Sequence, residues 1–330
     1  MTRILVTGGS GFIGQHLVST LAASGHQLRV LDLRPPRRAV ANVQYINGSV
    51  LDRDLVEQAL NDVEEVYHLA GLPGMWVARK DDFHAVNCRG TEVVIAAARR
   101  RGIARMLHCS TESILFRASP SGGTAVEDTL LTADDMPGPY TRSKLLAERV
   151  AMQAAASGFP VVIGSPTMPI GPHDYNLTPP TAMLRHFLHK RLQFYLDFVL
   201  NLVDVRDVAA GLILAMDRGQ VGQRYILGGE SIPLRRLLQH VATIAGRDSL
   251  CVPVPGRLAE MTAAVLEFVA DHVTHRPPSA TAEAVRIALR SKALSIEKAQ
   301  QELGYAPRPI EPALRETIAN LVGTHDDQFK

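Results

Sequence analysis

Side chains that can together transfer a proton occur in two short stretches of the sequence. "PYTRSK", residues 139–144, places Tyr140 four residues before Lys144, and this spacing puts both side chains on one face of a helix. A free tyrosine, with a pKa of about 10, carries protons poorly at neutral pH, and a neighbouring ammonium lowers that pKa. "HCSTES" supplies the hydroxyls of Ser110 and Thr111, which can hydrogen-bond an oxygen that gains charge. These residue types predict acid–base chemistry at an alcohol or carbonyl oxygen.

A second feature is the run of glycines in "RILVTGGSGFIG" near the N-terminus, namely Gly8, Gly9, Gly11 and Gly14. The apolar run before them predicts a strand ending at Val6, and the amphipathic run after them predicts a helix. Glycines between a strand and a helix permit a tight turn, and they let a pyrophosphate lie against backbone N–H groups at the helix N-terminus. A glycine-rich turn with no ligand is the alternative, but the strand–turn–helix context favours a dinucleotide site.

Asp32 ends the second predicted strand, about 20 residues after the glycine turn, where dinucleotide-binding proteins carry an acidic residue. A carboxylate there accepts hydrogen bonds from the adenosine ribose hydroxyls and repels a 2′-phosphate. Arg34, Arg37 and Arg38 follow, and guanidinium groups attract a 2′-phosphate. The acidic residue at the strand end favours NAD, with NADP as the alternative. A nicotinamide beside Tyr140 would allow transfer of hydride and proton between a secondary alcohol and a ketone.

The elements that position these residues alternate through the first half of the chain. Strands are predicted at Ile4–Val6, Gln27–Leu31, Val43–Ile46, Glu65–Leu69, Arg105–Cys109 and Pro160–Gly164, and helices near 13–24, 52–61, 82–101 and 139–157. This order predicts an α/β fold with a Rossmann-type, doubly wound parallel sheet, whose ligands bind beyond the carboxyl ends of the strands.

The alternation of strands and helices ends after residue 166, where "SPTMPIGPHDYNLTPP" is typical of proline-rich loops. Further helices are predicted near 181–191, 206–218, 234–246, 257–273, 295–303 and 311–322, and the C-terminal "THDDQFK" is expected to fray. We therefore expect an NAD(P)-binding domain over 1–166 that also carries the catalytic residues. A smaller, mixed substrate lobe is expected over 167–330, with parts of 200–228 returning to the sheet.

Composition narrows the class of protein. The chain has 330 residues, 46% of them hydrophobic, a net charge of +2 and no clustering of its basic residues, so nucleic acid is not an expected partner. No secretory signal is recognisable, and Cys88, Cys109 and Cys251 fit reduced thiols in a cytoplasm. No stretch is long and apolar enough to cross a bilayer, so stable membrane insertion is not expected.

Two weaker sequence signals, an amphipathic stretch and two pairs of histidines, are not used in the functional prediction. The stretch 258–273 is interpreted as an amphipathic helix that packs on its own protein, with reversible membrane contact as the less favoured alternative. The pairs His186/His189 and His272/His275 have a spacing that suits a metal, but no third ligand lies nearby, and no metal is predicted.

Taken together, the motifs resemble the extended short-chain dehydrogenase/reductase family over nearly the whole chain. "TGGSGFIG" is similar to its T-G-x-x-G-x-x-G, "HLAG" to its H-x-A-A/G, and "VNCRGT" to its N-V-x-G-T helix start. "STES", "YTRSK", "SPTMPIGP" and "VDVRDVA" resemble its later motifs. The resemblance implies that Tyr140 is the acid/base, that Lys144 binds the ribose hydroxyls and tunes Tyr140, and that Thr111 polarises the substrate oxygen.

The resemblance also implies which residues contact the ligands. The implied cofactor contacts are Gly8, Gly11, Phe12, Ile13, Gly14, Asp32, Leu33, Arg34, Ser49, Val50, Leu69, Ala70, Gly71, Tyr140, Lys144 and Pro166. The implied substrate contacts are Thr111, Glu112, Ser113 and Met168. The predicted helices near 82–101 and 139–157 often pair between subunits in this family, so a homodimer is expected.

Departures from the family pattern bear on the cofactor and the substrate. Ser49 replaces the usual Asp that holds the adenine amino group. Met168, and Leu200 or Asn201, stand where nucleotide-sugar epimerases tend to have an Asn and an Arg for a pyrophosphate, which argues against a UDP-sugar. Glu112 and Ser113 replace the Asp-Glu pair of dehydratases, so elimination is disfavoured.

The pattern is most similar to the subgroup of dihydroflavonol reductases, 3β-hydroxysteroid dehydrogenases and hopanoid-associated sugar epimerases. We therefore expect an NAD(P)-dependent oxidoreductase that interconverts a secondary alcohol and a ketone on an apolar, steroid-, isoprenoid- or flavonoid-like small molecule. Apolar side chains expected near the substrate, or in ordinary lobe packing, are Met168, Met183, Leu184, Phe187, Phe194 and Phe198. One alternative is a sugar epimerase with tightly bound NAD, and another is a dinucleotide-binding regulator without chemistry.

Overall fold

The strands form one large sheet and two small ones. A computed structural model describes residues 1–117, 123–189, 192–246 and 250–326. The C-terminal tail was expected to fray, and its last four residues lie outside the described residues. The strands are β1 (Arg3–Thr7), β2 (Gln27–Asp32), β3 (Val43–Asn47), β4 (Glu65–His68), β5 (Arg105–Cys109), β6 (Val161–Pro166), β7 (Met168–Ile170), β8 (Leu192–Tyr195), β9 (Val199–Asp204), β10 (Arg224–Leu227), β11 (Glu230–Pro233) and β12 (Leu250–Pro253).

The α-helices connect and cover these strands. They are α1 (Phe12–Ala23), α2 (Arg53–Ala59), α3 (Asp81–Phe83), α4 (Gly90–Arg100), α5 (Pro139–Ala156), α6 (Pro179–His189), α7 (Val205–Arg218), α8 (Leu234–Ala245), α9 (Gly256–Val269), α10 (Ala282–Arg290) and α11 (Ile310–Asp326). Segments of π-helix join α3 to α4, extend α9 and form a short separate turn, at His84–Arg89, Ala270–Thr274 and Ala299–Leu303 respectively. Short 3₁₀ turns lie at Glu112–Ile114 and Ala133–Asp135.

Two features of the C-terminal half differ from the sequence prediction. The segment predicted as a helix near 295–303 is helical from residue 297 and ends in the short π-turn, but the proline-rich stretch after 166, which was expected to form loops, contains β7, whose three residues pair with β9. Helix α10 was not predicted, although Thr281 caps it by accepting a hydrogen bond from the backbone of Ala284. The helix has only nine residues, fewer than the window over which helical periodicity is recognised in a sequence.

The main sheet has seven strands in the order β10-β6-β5-β4-β1-β2-β3, and all its neighbouring strands run parallel. Helices α1 and α7 pack on one face through residues such as Leu17 and Leu212, and α2, α4 and α5 cover the other through residues such as Val56, Val94 and Ala151. The prediction of a Rossmann-type, doubly wound sheet is confirmed. The strand order reverses between β1 and β4, and ligands of such sheets bind at this switch point.

The remaining elements form a smaller lobe with its own core. Strands β11, β9 and β7 make a mixed three-stranded sheet, and β12 and β8 make a parallel pair. Helices α6, α8 and α11 pack around them through Leu184, Leu237 and Leu314. Within 200–228, α7 and β10 pack on the main sheet.

A buried ion pair fixes α5, the helix of the Tyr–Lys motif, to the edge of the main sheet. Arg224 of β10 donates from Nε to Oε1 of Glu148 at 2.9 Å, and both side chains are almost completely buried. Arg224 also donates to the backbone carbonyl of Glu127 at 2.6 Å. Moving α5 away from β10 would leave both charges uncompensated, and an uncompensated buried charge is strongly unfavourable. This contact therefore holds α5 in one position.

Helix α9 differs from its sequence interpretation in the face that it buries. Small side chains, Ala263 and Ala270, face the protein, whereas large apolar ones such as Met261 and Phe268 are exposed. The helix does pack on its own protein, as predicted, but through its small and acidic side chains, because periodicity shows that an apolar stripe exists but not which way it points. None of the described helices is long and apolar enough to cross a membrane.

Candidate active site

The glycine turn brings backbone close to backbone at the switch point. Gly8 has a φ of +73°, and a Cβ on it would lie 2.6 Å from the amide nitrogen of Ala70. A Cβ on Gly14 would lie 2.7 Å from Cα of Gly9, so both positions exclude larger residues. Helix α1 follows Gly11, and no side chain caps its first N–H groups. The turn therefore presents an open helix N-terminus, which fits the pyrophosphate of a dinucleotide. Phe12 and Ile13 form the first turn of α1.

Asp32 holds the end of β2 against this turn. Its Oδ2 accepts a hydrogen bond from the backbone N–H of Ser10 and its Oδ1 one from that of Arg34, both at 3.0 Å. Each carboxylate oxygen keeps a further lone pair, which suits ribose hydroxyls. The neighbouring Leu33 is exposed.

The arginines after Asp32 contact the chain itself. Arg34 donates to the side chain of Asn176 at 3.1 Å, and Arg38 lies 2.9 Å from Nε2 of His173. Each of these two guanidinium groups thus makes one contact with the loop after β7.

The cofactor positions implied further along the chain lie at strand ends. The Ser49 hydroxyl accepts from the backbone N–H of Leu51 at 3.1 Å, at the turn before α2. Val50 is buried, and its side chain leaves room only for glycine at position 90. Leu69, Ala70 and Gly71 follow β4, beside the glycine turn.

Asn87 links the end of β4 to the catalytic helix. It accepts from the backbone N–H of Leu72 at 2.7 Å and donates to the Ser143 hydroxyl at 2.9 Å, and Ser143 donates to the carbonyl of Tyr140 at 2.7 Å. Asn87 lies within the π-segment, in the middle of a continuous helical stretch, and not at a helix start as the family motif suggested. The helix predicted near 82–101 is continuous through this segment, and the π-segment widens it locally at Asn87.

Thr111, Tyr140 and Lys144 come together at the carboxyl end of β5. The Thr111 hydroxyl donates to Oε2 of Glu112 at 3.1 Å and accepts from the N–H of Ser113 at 3.3 Å. Nζ of Lys144 donates to the carbonyl of Cys109 at 2.8 Å. Tyr140 is buried, and its ring meets that of Phe83 edge-on with centroids 5.9 Å apart. We call this group, with Glu112, the catalytic corner.

Burial, together with the nearby carboxylates, raises the pKa of the Tyr140 phenol and keeps it protonated. Burial raises the pKa of Tyr140, the carboxylates of Glu112 and Glu283 raise it further, and hydrogen bonding with the Thr111 hydroxyl lowers it. Burial also raises the pKa of Glu112 to about 7. Burial lowers the pKa of Lys144. In the protein without a cofactor, the proton therefore stays on Tyr140 at neutral pH.

Glu283 of α10 is a site residue that the sequence reasoning missed. Its carboxylate accepts from the backbone N–H of Tyr140 at 3.1 Å, and from both the N–H and the hydroxyl of Thr141 at 2.7 Å. It thus caps α5 from the opposite lobe, since Gly138, which precedes the helix, has no side chain with which to do so. The favoured cap position of Thr281 could have indicated the helix, but nothing in the sequence indicates the partner.

Three buried hydroxyls at the carboxyl ends of β5 and β6 lack partners. Ser110, Ser165 and Thr167 have no hydrogen-bond partner within the described part of the chain. Ser165 and Thr167 flank Pro166, an implied cofactor contact, and the backbone N–H of Ser110 donates to the neighbouring strand at Gly164 O, at 2.7 Å. Buried polar groups without partners cost free energy, so these hydroxyls fit a polar group of a bound ligand, such as the carboxamide of a nicotinamide.

On the substrate side, Met168, Met183, Phe187 and Phe198 lie against the core of the small lobe. Leu184 is fully buried in that core, whereas Phe194 is exposed on the surface. Asn201 is used within the lobe, because its side chain bonds the N–H of Gly229 at 2.8 Å and the hydroxyl of Ser231 at 3.0 Å. Leu200 is buried.

Comparison with known proteins identifies a family and several relatives of similar sequence and fold. The model of the NAD dependent epimerase/dehydratase family matches residues 4–228. A relative in Synechocystis, described as "Putative dihydroflavonol 4-reductase", is 34% identical over 95% of this chain and 92% of its own length. Sterol demethylase protein B of Methylococcus capsulatus is 28% identical over 96% of this chain and 97% of its own. The crystal structure of gox2253, 32% identical, has a TM-score of 0.84 and covers 98% of this chain and 99% of that one.

The fold and the site define an extended short-chain dehydrogenase/reductase. Within that class, the chain belongs to the NAD-dependent epimerase/dehydratase family. The family assignment confirms the predictions of an NAD cofactor and of an NAD-dependent oxidoreductase or epimerase.

Proposed function

We propose that this protein interconverts a secondary alcohol and a ketone on an apolar substrate, with Tyr140 as the acid/base. The observation that carries the proposal is the catalytic corner, in which a protonated phenol, the Thr111 hydroxyl and the Lys144 ammonium meet at the carboxyl end of β5. The glycine turn, Asp32 and the unpartnered hydroxyls beside Pro166 would hold NAD at the same edge of the sheet.

NAD supplies the chemistry of accepting or donating a hydride. The chain's own residues handle the oxygen. In the direction of reduction, Tyr140 gives its proton to the substrate oxygen as charge develops there, and Thr111 shares that charge through a hydrogen bond. In the direction of oxidation, Tyr140 must accept the proton, and the Lys144 ammonium and the positive charge of a bound oxidised cofactor would each lower its pKa.

An apolar substrate is favoured by two observations. The positions at which nucleotide-sugar epimerases tend to bind a pyrophosphate hold Met168 and the Leu200–Asn201 pair, and Leu200 and Asn201 are both committed to the lobe itself. The two relatives are named after a dihydroflavonol and a sterol, and both of these compounds are largely apolar ring systems. Glu112, Ser113 and Met168 would contact the substrate beside Thr111.

The test is a screen for net oxidation or reduction with NAD(H) and NADP(H) against hydroxysteroids, flavonoids and nucleotide sugars. We expect turnover of an apolar alcohol or ketone with NAD(H). Tyr140→Phe should lower kcat by about 10²- to 10⁴-fold while NAD affinity stays unchanged. Tyr45→Phe, on β3 and remote from the catalytic corner, is the matched control.

Other outcomes would assign other functions. Conversion of a nucleotide sugar without net change in NAD would indicate an epimerase. Cofactor binding without turnover of any substrate would indicate a regulator, and full activity of Tyr140→Phe would overturn the mechanism.

Two further parts of the proposal concern the setting of the enzyme. We propose a homodimer that pairs through α4 and α5, which light scattering of the purified protein would test. The thiols of Cys88 and Cys109, which are buried and not joined in a disulfide, favour a reducing compartment, and we propose the cytoplasm.

A further inference from the structure

Helix α9 turns a continuous apolar surface to the solvent. Leu258, Met261, Val265 and Phe268 follow one another at helical spacing, and each exposes more than half of its side chain. Val269 and the π-segment residue Val273 widen the same surface. We call these six residues the α9 apolar face. Contiguous exposed apolar surface of this kind marks an interaction site more often than it marks a free surface.

The acidic residues of this helix face the protein and are already paired there. Glu267 binds Lys80 at 3.3 Å, and Asp271 binds both Lys80, at 3.1 Å, and the indole N–H of Trp76, at 2.6 Å. Glu260 binds Arg286 at 2.6 Å. The helix therefore packs on the domain through alanines and paired acidic side chains, while its large apolar side chains face the solvent.

Cations flank the apolar face at both ends. Arg257 precedes Leu258 and Arg276 follows the π-segment, and both side chains are exposed. Within the chain as far as the structure describes it, neither of them pairs with a carboxylate. His272 and His275 are exposed at the same end as Arg276. The surface thus combines a large apolar centre with uncompensated positive ends.

We propose that the α9 apolar face docks reversibly on a membrane surface that carries anionic headgroups. The apolar residues would enter the boundary between headgroups and acyl chains, while Arg257 and Arg276 would lie at the level of the phosphates. The convex face of a single helix fits a flat, deformable surface.

The charges argue against a second copy of the chain as the occupant. In an antiparallel pairing of two α9 helices, Arg257 of one copy would approach Arg276 of the other. In a parallel pairing, each arginine would approach its own counterpart. Either arrangement juxtaposes like charges, which is destabilising, whereas anionic lipid would neutralise both ends.

The docked surface adjoins the candidate active site. Helix α9 packs on α10, whose Glu283 caps the helix of Tyr140, and Trp76 and Lys80, which bind α9, belong to the connection after β4. If the proposed function holds, an apolar substrate would leave the lipid close to the catalytic corner. The docking itself does not depend on that function.

The test is co-sedimentation of the full-length protein with vesicles of phosphatidylcholine, with and without phosphatidylglycerol. We expect binding to the mixed vesicles that weakens as salt is raised. Met261→Gln/Phe268→Gln should weaken it by about tenfold or more, because two buried apolar contacts are lost. Leu130→Gln, at another strongly exposed apolar position, is the matched control and should bind as the unaltered protein does. Arg257→Gln/Arg276→Gln should remove the preference for anionic vesicles.

Two results would overturn the proposal. The first is the absence of vesicle binding by the unaltered protein, or binding that the Met261/Phe268 variant retains. The second is a concentration-dependent association of the protein that this variant abolishes, which would show that a second copy covers the face. Thermal unfolding of each variant checks that it is folded, and substitutions at such exposed positions should leave the unfolding temperature nearly unchanged.

Discussion

The glycine turn and the catalytic corner lie at the same edge of the sheet but are built in different ways. The turn comes from one short stretch, closed by a hydrogen bond from Gly11 N–H to Gly8 O at 3.1 Å, and it depends on side chains being absent. The catalytic corner joins segments far apart in the chain, with buried polar contacts such as the one between Tyr140 and Glu283. Substitutions should therefore damage the glycine turn by steric crowding, and the catalytic corner by loss of charge or of alignment.

This difference predicts that cofactor affinity and turnover can be damaged separately. Changes in the turn should act mainly on NAD binding and on stability. Changes in the catalytic corner should act mainly on kcat and on its dependence on pH.

The largest effect is expected from Gly8→Ala. The new Cβ would combine a left-handed φ with contacts of 2.6 to 2.8 Å to the backbone of Leu69 and Ala70, so we expect the free energy of unfolding to fall by about 3–5 kcal/mol. NAD affinity should fall by about 100-fold or more, since the turn must widen where the pyrophosphate lies. Calorimetric titration with NAD and chemical unfolding measure the two effects.

Gly25→Ala separates strain from crowding. Gly25 has a φ of +82°, yet a Cβ on it would meet no atom within 4 Å. This variant should lose only about 1–2 kcal/mol and keep its NAD affinity. Equal losses in the two variants would contradict the role assigned to close packing at Gly8.

Glu112→Gln should change how stability depends on pH. The folded protein holds a proton on Glu112 up to a pH of about 7, whereas the unfolded chain releases it near 4.5. Stability therefore falls as pH rises between these values, by about 3 kcal/mol in total from this group. The variant should lack this loss and be more stable than the original protein above pH 7. Urea unfolding at a series of pH values measures the difference.

The exposed Glu297→Gln is the control for the Glu112 variant, and it should leave the pH dependence unchanged. A parallel pH dependence of the original protein and of Glu112→Gln would show that Glu112 is ionised in the folded state.

A smaller effect is expected from Glu283→Gln. The amide keeps only one acceptor for the N-terminal turn of α5, so kcat should fall by about tenfold through misalignment of Tyr140. Because the charge of Glu283 raises the pKa of Tyr140, its removal should also move the alkaline limb of the kcat profile for reduction, which needs the protonated phenol, to lower pH. Steady-state kinetics across pH give both values.

Glu283→Asp distinguishes the two contributions. It keeps the charge but shortens the reach, so kcat should fall while the alkaline limb stays in place. A lower kcat for Glu283→Gln with no shift of the limb would mean that Glu283 acts only as a cap.

The parts of the site that the sequence predicted are those whose signal is local. The glycine turn, Asp32 and the Tyr140–Lys144 pair each combine residue type with a spacing that one helix or one turn imposes. Glu283 was missed because its role depends on a contact between the two lobes, which no local pattern encodes. Likewise, the stripe on α9 was recognised, but its orientation depends on the pairing of Glu267 and Asp271 with Lys80, which lies far away in the sequence.

The anchoring of α5 has a consequence for synthesis of the chain on the ribosome. Glu148 is translated 76 residues before Arg224, its partner in the buried ion pair, and Tyr140 precedes Glu283 by 143 residues. A nascent chain that has not yet reached β10 contains the Glu148 carboxylate, which is buried in the folded protein, but lacks the Arg224 guanidinium that pairs with it. The first half of the protein can therefore begin to collapse during translation, but its reactive helix reaches its final environment only when nearly the entire polypeptide has emerged.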